Sequence, residues 1–301
     1  MKYDEYKPEL IDLKDWEQSG EGWNALSYFH KTDGGLVLKM NSDSLPYEGT
    51  LTEFKLSKAV HDLGVKCPAA LNLVTDGKRF GFISERLVGK KSFARTLSEH
   101  PEMIDSLAKD MADEAKKLHS IQCDSALFES VPERLRAEIN SCRWIKDNLK
   151  KTLDSYADGM RPVTTCLHGD MHPGNILRTD KGDYWIDFGR FGHGDPDMDY
   201  ASQFILANLA PAYMTEWILH IDHTVYSRFV ELYGQYYYGD SFYAPETQER
   251  LRRAICLALG HGMTKSPAAS RIFGHYVRGH EKLTKFLVRV VSLLIKRKES
   301  A

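Results

Sequence analysis

The segment Leu167-His168-Gly169-Asp170-Met171-His172-Pro173-Gly174-Asn175, followed by Trp185-Ile186-Asp187-Phe188-Gly189, decides how this chain of 301 residues is interpreted. It contains an Asp, an Asn five residues later and a second Asp twelve residues beyond that. In phosphoryl transfer from a nucleotide, one carboxylate orients and deprotonates the attacking hydroxyl, while an amide and another carboxylate hold Mg²⁺ on the phosphates. The spacing therefore predicts phosphoryl-transfer chemistry based on Asp170, Asn175 and Asp187.

The residues between the amide and the second carboxylate predict a β-hairpin. Residues 176–178 and 184–186 have the apolar and aromatic composition of short strands, and residues 179–183 have the composition of a turn. An antiparallel hairpin brings its two open ends together. We therefore expect Asn175 and Asp187 to be neighbours despite their separation along the chain.

Composition and charge exclude several classes of partner. The net charge of −2 and the pI near 6.6 give no reason to expect a nucleic-acid partner. The five cysteines are an odd number without C-x-x-C spacing, which favours reduced thiols in a cytoplasmic protein. The N-terminus lacks the apolar region of a signal peptide, and no apolar run reaches the ~20 residues that span a bilayer. We expect a cytoplasmic protein with no nucleic-acid and no membrane partner.

The pattern along the chain predicts an α+β fold with two lobes. Alternating strand-like segments, interrupted by one helix near Leu56 to Leu63, dominate the first part, and helical periodicity dominates after Lys90. We expect a small antiparallel-sheet lobe at residues 1–87, a larger mostly helical lobe at residues 88–301, and a nucleotide cleft where they meet. The predicted strands lie at residues 23–30, 36–40, 70–74 and 80–84.

Helical spacing also predicts the main elements of the second lobe. Apolar residues form one stripe from Ile104 to Leu118 and another from Leu135 to Leu153. Asp195 is suited to cap a helix over residues 196–209. Further on, Pro245 is suited to the first turn of another helix.

The central motif resembles the catalytic and metal loops of protein-kinase-like enzymes, through His168-Gly-Asp170, Asn175 and Asp187-Phe-Gly. Gly169, the residues Met-His-Pro-Gly before Asn175, and Gly194-Asp-Pro-Asp-Met-Asp199 are similar to one branch. That branch is the aminoglycoside phosphotransferase and choline kinase-like family of small-molecule kinases. The resemblance is strongest over residues 165–201. It implies a bilobal protein-kinase-like fold, Mg²⁺, and ATP (with GTP as the alternative donor) for phosphorylation of a small-molecule hydroxyl.

The resemblance also implies roles for particular residues. Asp170 is the catalytic base, and Asn175 and Asp187 bind the metal. Lys39 stands where the family has a lysine that contacts the α- and β-phosphates. Glu53 is its expected partner.

Three further details follow from the same comparison with the family. Glu48 is the rival partner for Lys39, but neighbouring Pro and Gly residues predict a loop there. Gly20 and Gly22 lie where a phosphate-covering turn is expected, since glycines let backbone N–H groups approach phosphate oxygens. Ser84 and Arg86 bracket the expected hinge, whose backbone groups would bond the adenine edge.

Several neighbouring residues have supporting or open roles. His168 is expected to pack beneath the catalytic loop, and Asp199 resembles the family's aspartate that braces this loop by hydrogen bonds. Arg190 either forms an ordinary ion pair or stabilises charge near Asp170. The aromatic stretch from Tyr226 to Tyr238 is mainly core by its helical spacing, with cation–π binding of a quaternary amine as the alternative.

Three other functions compete with a small-molecule kinase. A protein kinase is disfavoured because residues 188–198 hold no Ser, Thr or Tyr, and the Ala244-Pro-Glu triplet lies too far along the chain to close an activation loop. A metal-dependent phosphoesterase would use Asp170 and His172 but needs more ligands. A nucleotide-binding pseudokinase is disfavoured because each expected catalytic residue is present.

The acceptor is the least determined part of the prediction. Residues 201–301 contain 13 Lys and Arg against 8 Asp and Glu. This surplus of positive charge weighs against a polycationic acceptor. Aminoglycosides, choline-like amines, sugars and amino alcohols stay open as acceptor classes.

Overall fold

The computed structural model describes residues 6–21 and 25–299, and it divides into two compact units. One unit comprises Met1–Lys91 with Asn175–Gly189, and the other comprises Ser92–Gly174 with Arg190–Ala301. The sequence predicts one boundary after residue 87. In the structure the chain crosses between the units three times, because Asn175–Gly189 packs with the first unit.

A six-stranded sheet and one helix make up most of the first unit. The strands lie in the order β1-β5-β6-β4-β3-β2. All neighbouring pairs are antiparallel except β1 with β5. The α+β prediction with an antiparallel sheet is confirmed, and the parallel addition is β1, a two-residue strand whose exposed side chains give no alternation. In chain order the elements are β1 (Glu9–Leu10), β2 (Trp16–Glu21), β3 (Ala25–His30), β4 (Leu36–Asn41), α1 (Tyr47–Asp62), β5 (Ala70–Thr75) and β6 (Phe80–Glu85).

Alternation along β4 determines which side chains face the helix. Leu38 and Met40 are buried in a cluster with residues of β2, β3 and β5. Lys39 lies between them and therefore points to the opposite face. Its cross-strand neighbour Phe82 packs there against Phe54 of α1. The period of the strand thus places the predicted lysine on the face that α1 covers.

Helix α1 begins earlier than the sequence predicts. The N–H groups of Gly49 and Thr50 bond the carbonyl of Pro46, so the Pro and Gly residues start the helix instead of forming a loop. Glu48 consequently lies in the first helical turn, and the loop predicted for it is wrong. The helix ends before Gly64, whose φ of +87° suits a glycine.

The rest of the chain is mainly helical. Strands β9 and β10 belong to the first unit, while helices α2 to α11, with β8 and β11, belong to the second. No described helix combines the length and the apolar character needed to cross a bilayer. The elements are β7 (Lys91–Ser92), α2 (Phe93–Glu99), α3 (Ile104–Ser120), α4 (Val131–Ser141), α5 (Asp147–Asp158), β8 (Cys166–Leu167), β9 (Ile176–Thr179), β10 (Gly182–Trp185), β11 (Gly192–His193), α6 (Asp197–Asn208), α7 (Ala212–Leu219), α8 (His223–Tyr238), α9 (Pro245–Lys265), α10 (Pro267–Val277) and α11 (Glu281–Glu299).

Local capping explains where several helices begin. The Ser130 hydroxyl accepts the N–H of Glu133 at the start of α4, and the Asp222 carboxylate accepts two N–H groups at the start of α8. Helix α9 begins at Pro245, as predicted. The apolar stripe from Leu135 to Leu153 predicted one continuous helix, and this prediction is wrong because the stripe spans the two helices α4 and α5. The chain turns extended at Cys142, where neither Gly nor Pro marks the break.

The core of the second unit forms around α3 and α9. Helix α3 packs against α8, and α9 packs against α4, α6 and α10. The predicted stripe on α3 is confirmed, since Leu107, Met111, Ala115 and Leu118 are all buried. All five cysteines of the chain are buried with free thiols.

Candidate active site

The predicted hairpin is present in the first unit. Strands β9 and β10 pair antiparallel from Thr179 opposite Gly182 to Ile176 opposite Trp185. At the open end, the N–H of Ile186 donates to the carbonyl of Asn175 at 3.0 Å. Asn175 therefore lies beside the residue that precedes Asp187, as the hairpin prediction requires.

Asp187 has an unusual backbone conformation. Its φ of +65° falls in the left-handed region, which non-glycine residues rarely adopt. Such a conformation costs on the order of 1–3 kcal/mol and is concentrated at functional sites. The side chain is exposed, whereas Asn175 is buried. The open end of the hairpin thus presents one buried amide and one accessible carboxylate.

Lys39 forms an ion pair with Glu53, as the resemblance implied. The pair joins the centre of β4 to helix α1, and both side chains are largely shielded from solvent. Burial lowers the pKa of Lys39, but the negative charges of Glu53 and Asp187 and the hydrogen bond to Glu53 raise it above its ordinary value. The ammonium group therefore stays protonated and lies within the electrostatic influence of Asp187.

A glycine on β6 allows the close approach of two strands at Lys39. A Cβ atom on Gly81 would lie 2.3 Å from the carbonyl oxygen of Lys39, which is far inside van der Waals contact. Only glycine fits this position without a shift of the backbone. Gly81 thus helps to hold Lys39 at its place in the sheet.

The other predicted nucleotide-binding residues are also in the first unit. Gly20 lies within β2, opposite Ser27 and next to a register shift, while Gly22 lies outside the described residues. Ser84 lies in β6, and the guanidinium of Arg86 stacks on the ring of Phe29 at 3.5 Å from its centroid. The N–H groups of residues 85 and 86 are already bonded to the carbonyls of residues 69 and 35.

In the second unit, Asp199 fixes the backbone of the loop that carries Asp170. Its two carboxylate oxygens accept the N–H groups of His168 and Gly169, both at 2.8 Å. Asp199 and His168 are both fully buried. The bracing prediction for Asp199 is confirmed, and so is the packed position of His168 beneath the loop.

The loop turns sharply at Gly169, immediately before Asp170. Gly169 has a φ of +79°, and a Cβ atom there would lie 2.0 Å from the carbonyl oxygen of Arg190. No other residue fits this turn. Asp170 follows with a half-buried side chain, and its N–H donates to Nδ1 of His168 at 3.4 Å.

Two charged networks around the loop were not predicted from the sequence. His119 on α3 contacts Asp199 through Nε2 at 3.1 Å and the Tyr237 hydroxyl through Nδ1 at 2.7 Å. Arg161 donates to Asp195 through Nε at 2.9 Å. His119 and Asp199 are 80 residues apart along the chain, and Arg161 and Asp195 are 34 residues apart, so no local sequence pattern connects either pair.

Asp195 supports the start of α6 and is itself held by Arg161. One oxygen accepts the N–H of Asp197, the first residue of α6, at 3.1 Å, but the N-cap position itself is held by Pro196 and not, as predicted, by Asp195. Burial raises the pKa of Asp195. Hydrogen bonds from Arg161 and from backbone N–H groups lower it by more, so the pKa lies below its ordinary value. Arg250 pairs with the equally buried Asp197, with Nε and Oδ2 2.6 Å apart. The two buried carboxylates are therefore both compensated by arginine.

Among the described residues, Arg190 pairs with a histidine and not with a carboxylate. Its guanidinium lies 2.6 Å from Nε2 of His261, whose Nδ1 lies 2.7 Å from a carboxylate oxygen of Glu138. Burial lowers the pKa of His261; Glu138 opposes this change, and the positive charge of Arg190 adds to it. A neutral His261 can donate from Nδ1 to Glu138 and accept from Arg190 at Nε2.

The described residues contain no group of three or more His, Cys, Asp or Glu side chains arranged to hold a metal ion. A closed metal cage of the structural kind is therefore absent from this part of the chain. The predicted metal-binding residues are instead the amide of Asn175 and the single carboxylate of Asp187 at the open end of the hairpin.

Comparison with solved structures identifies similar folds. A thermostable mutant of aminoglycoside phosphotransferase APH(4)-Ia, in ternary complex with ADP and hygromycin B, is 15% identical with a TM-score of 0.60, over 91% of this chain and 93% of that chain. A choline/ethanolamine kinase family protein from Mesorhizobium loti is 15% identical with a TM-score of 0.55, over 90% and 87%. The streptomycin-ATP-APH(2")-IIa ternary complex is 18% identical with a TM-score of 0.53, over 88% and 86%. At these identities the similarity concerns the fold.

The sequence itself gives the family. No curated protein sequence matches this chain. The family model described as the phosphotransferase enzyme family matches residues 15–242, which include the ion pair of the first unit and the braced loop of the second. This match confirms the resemblance drawn from the motifs. The chain belongs to the phosphotransferase enzyme family.

Proposed function

We propose that this phosphotransferase moves a phosphoryl group from ATP to a hydroxyl of a small molecule. Family membership supports the reaction class. Two similar structures are complexes with ADP or with ATP, which supports a nucleotide donor here as well. GTP is the alternative donor.

The observation that carries the proposal is the ion pair of Lys39 with Glu53, which joins strand β4 to helix α1. Glu53 holds the ammonium through the ion pair, and Asp187 acts on it through its charge. An ammonium that stays protonated is suited to contact the α- and β-phosphates. A surface lysine on an edge strand would have neither partner.

Asn175 and Asp187 are the residues that would hold Mg²⁺. Mg²⁺ is usually bound by one or two carboxylates together with substrate phosphates rather than by a protein cage. The amide and carboxylate at the end of the hairpin fit this donor set. When bound, the ion would neutralise charge on the phosphates.

The hinge segment and the glycines complete the nucleotide-binding proposal. The N–H groups of residues 85 and 86 already donate to the carbonyls of residues 69 and 35, so the base would bond the remaining backbone groups between Ser84 and Leu87. The side chains of Ser84 and Arg86 then contribute little. Gly20 and Gly22 would let backbone N–H groups approach phosphate oxygens.

Asp170 is the proposed base for the acceptor hydroxyl. Its loop is fixed by Asp199, so the carboxylate needs little reorganisation before it accepts a proton. The similar structures are named for hygromycin B, streptomycin and choline or ethanolamine kinases. The positive surplus of residues 201–301 favours a neutral or singly charged acceptor, such as a sugar or an amino alcohol, over a polycation.

Transfer of labelled phosphate from ATP or GTP to a panel of small alcohols tests the proposal. We expect acceptor-dependent transfer that requires Mg²⁺ and is lost in Asp170→Ala and in Asp187→Ala. Asp180→Ala, in the exposed turn of the same hairpin, is the matched control and should retain activity. Equal activity in all four proteins would refute the assignment, and release of phosphate from aryl phosphates without nucleotide would favour a phosphoesterase instead.

A further inference from the structure

Tyr226 on α8 has a buried hydroxyl that nothing in the described part of the chain satisfies. The residue is fully buried, and its phenolic oxygen has no hydrogen-bond partner there. Buried polar groups are nearly always paired, so each exception calls for an explanation. Packing alone does not explain it, because the ring stacks near Phe229 and a phenylalanine would fill the same space.

Helix α8, which carries Tyr226, packs against the loop that carries Asp170. Tyr233, two turns further along α8 and on the same face, donates its hydroxyl to the sulfur of Met171 at 3.5 Å. At the other end of the loop, the side chain of Leu219 on α7 lies 3.3 Å from the position of a Cβ on Gly174. The end of α7 and the inner face of α8 therefore flank the segment that begins at Asp170.

The charge of Asp170 also acts on Tyr226. Burial raises the pKa of Tyr226 well above its ordinary value, and the negative charge of Asp170 raises it further. The phenol is therefore protonated at any working pH and available as a donor. A protonated donor within the field of a carboxylate is favourably placed to bond it.

We propose that Tyr226 is a positioning residue whose hydroxyl donates a hydrogen bond to the Asp170 carboxylate when the acceptor is bound. This inference rests on the role of Asp170 in the proposed function. Catalytic hydrogen bonds are often long or unformed without substrate and tighten in the complex. A carboxylate has about four acceptor positions, so this bond is compatible with the other contacts of Asp170.

Tyr226→Phe tests the proposal because it removes only the hydroxyl. We expect kcat to fall about tenfold, which corresponds to ~1.4 kcal/mol, with KM for both substrates within about twofold of wild type. The urea unfolding midpoint should be unchanged or higher, since the change removes an unsatisfied buried group. Tyr276→Phe, a buried tyrosine on α10, is the matched control and should leave kcat unchanged.

A double variant gives an independent measure of the coupling. In an Asp170→Asn background, Tyr226→Phe should have little further effect, because the carboxylate it would position is gone. A Tyr226→Phe protein with wild-type kcat would overturn the inference, and so would a marked loss of stability in that variant. Transfer that does not depend on Asp170 would overturn the proposed function as well. Transfer that needs Asp170 but not the Tyr226 hydroxyl overturns this inference alone.

Discussion

The substitution Asp199→Asn tests whether Asp199 supports the loop that carries Asp170. The carboxylate is fully buried, and it accepts the N–H groups of His168 and Gly169 at 2.8 Å and faces Nε2 of His119 at 3.1 Å. The substitution keeps the shape of the side chain. It removes the negative charge and replaces one acceptor oxygen by a donor.

The size of the effect follows from these contacts. A hydrogen bond to a charged group contributes about 1.5–3 kcal/mol, and a buried donor left without an acceptor costs about 1–3 kcal/mol. Asparagine retains one acceptor oxygen, so one of the two backbone N–H groups then faces an NH₂ group. We expect a loss of about 2–4 kcal/mol in the free energy of unfolding. A loosened loop should also lower kcat by about a hundredfold.

Urea unfolding followed by tryptophan fluorescence, together with steady-state kinetics, measures both effects. Asp113→Asn is the matched control, because Asp113 pairs with Lys109 on the surface of α3 and should have no measurable effect. If Asp199→Asn and Asp113→Asn have the same unfolding free energy and the same kcat, the bracing argument is refuted.

The remaining predictions concern backbone, charge and pH. Gly169→Ala should lower the free energy of unfolding by more than about 3 kcal/mol, because the new Cβ meets the carbonyl of Arg190, whereas Gly64→Ala, at a similar φ but in open space, should cost about 1 kcal/mol in urea denaturation. Equal costs would contradict the steric argument. Lys39→Ala should lower kcat/KM for ATP by about 10²–10³-fold in the phosphate-transfer assay, while Lys31→Ala, on the exposed turn before β4, should leave it unchanged. The pKa of Asp195 is lower in the folded protein, so its contribution to stability is present above the ordinary value of 3.8 and is lost as the pH falls below it. Thermal unfolding measured from neutral pH to well below pH 3.8 should therefore show a fall in Tm below that pH that is shallower in Asp195→Asn, and parallel curves would exclude this source of acid sensitivity.

Predictions from short-range patterns agree closely with the structure. The hairpin between Asn175 and Asp187 follows from a turn flanked by strand-forming residues, and the tight turn before Asp170 follows from Gly169. The ion pair of Lys39 with Glu53 was placed by family resemblance, since neither residue alone differs from a surface charge. The catalytic role of Asp170 and the metal-binding roles of Asn175 and Asp187 stay predictions.

Errors arose where local signals were misleading or absent. Pro46 and Gly49 are turn formers in many contexts, but here they start α1 and bring Glu48 into its first turn. The stripe from Leu135 to Leu153 is continuous because α4 and α5 both pack their apolar faces inward. Periodicity reports which face is buried, and it does not report where a helix is interrupted.

The sequence by itself determined the family, the fold class and the order of the chemical groups along the loop and the hairpin. These depend on backbone turns and on spacings of a few residues, which are written locally in the chain. Only the tertiary structure decided which distant groups support them. His119 reaches Asp199 and Arg161 reaches Asp195 because separate helices and loops pack together in one core, and a buried charge is stable only beside a partner that the packing supplies. The unsatisfied hydroxyl of Tyr226 belongs to the same class of feature, since its significance depends on what the fold places near it.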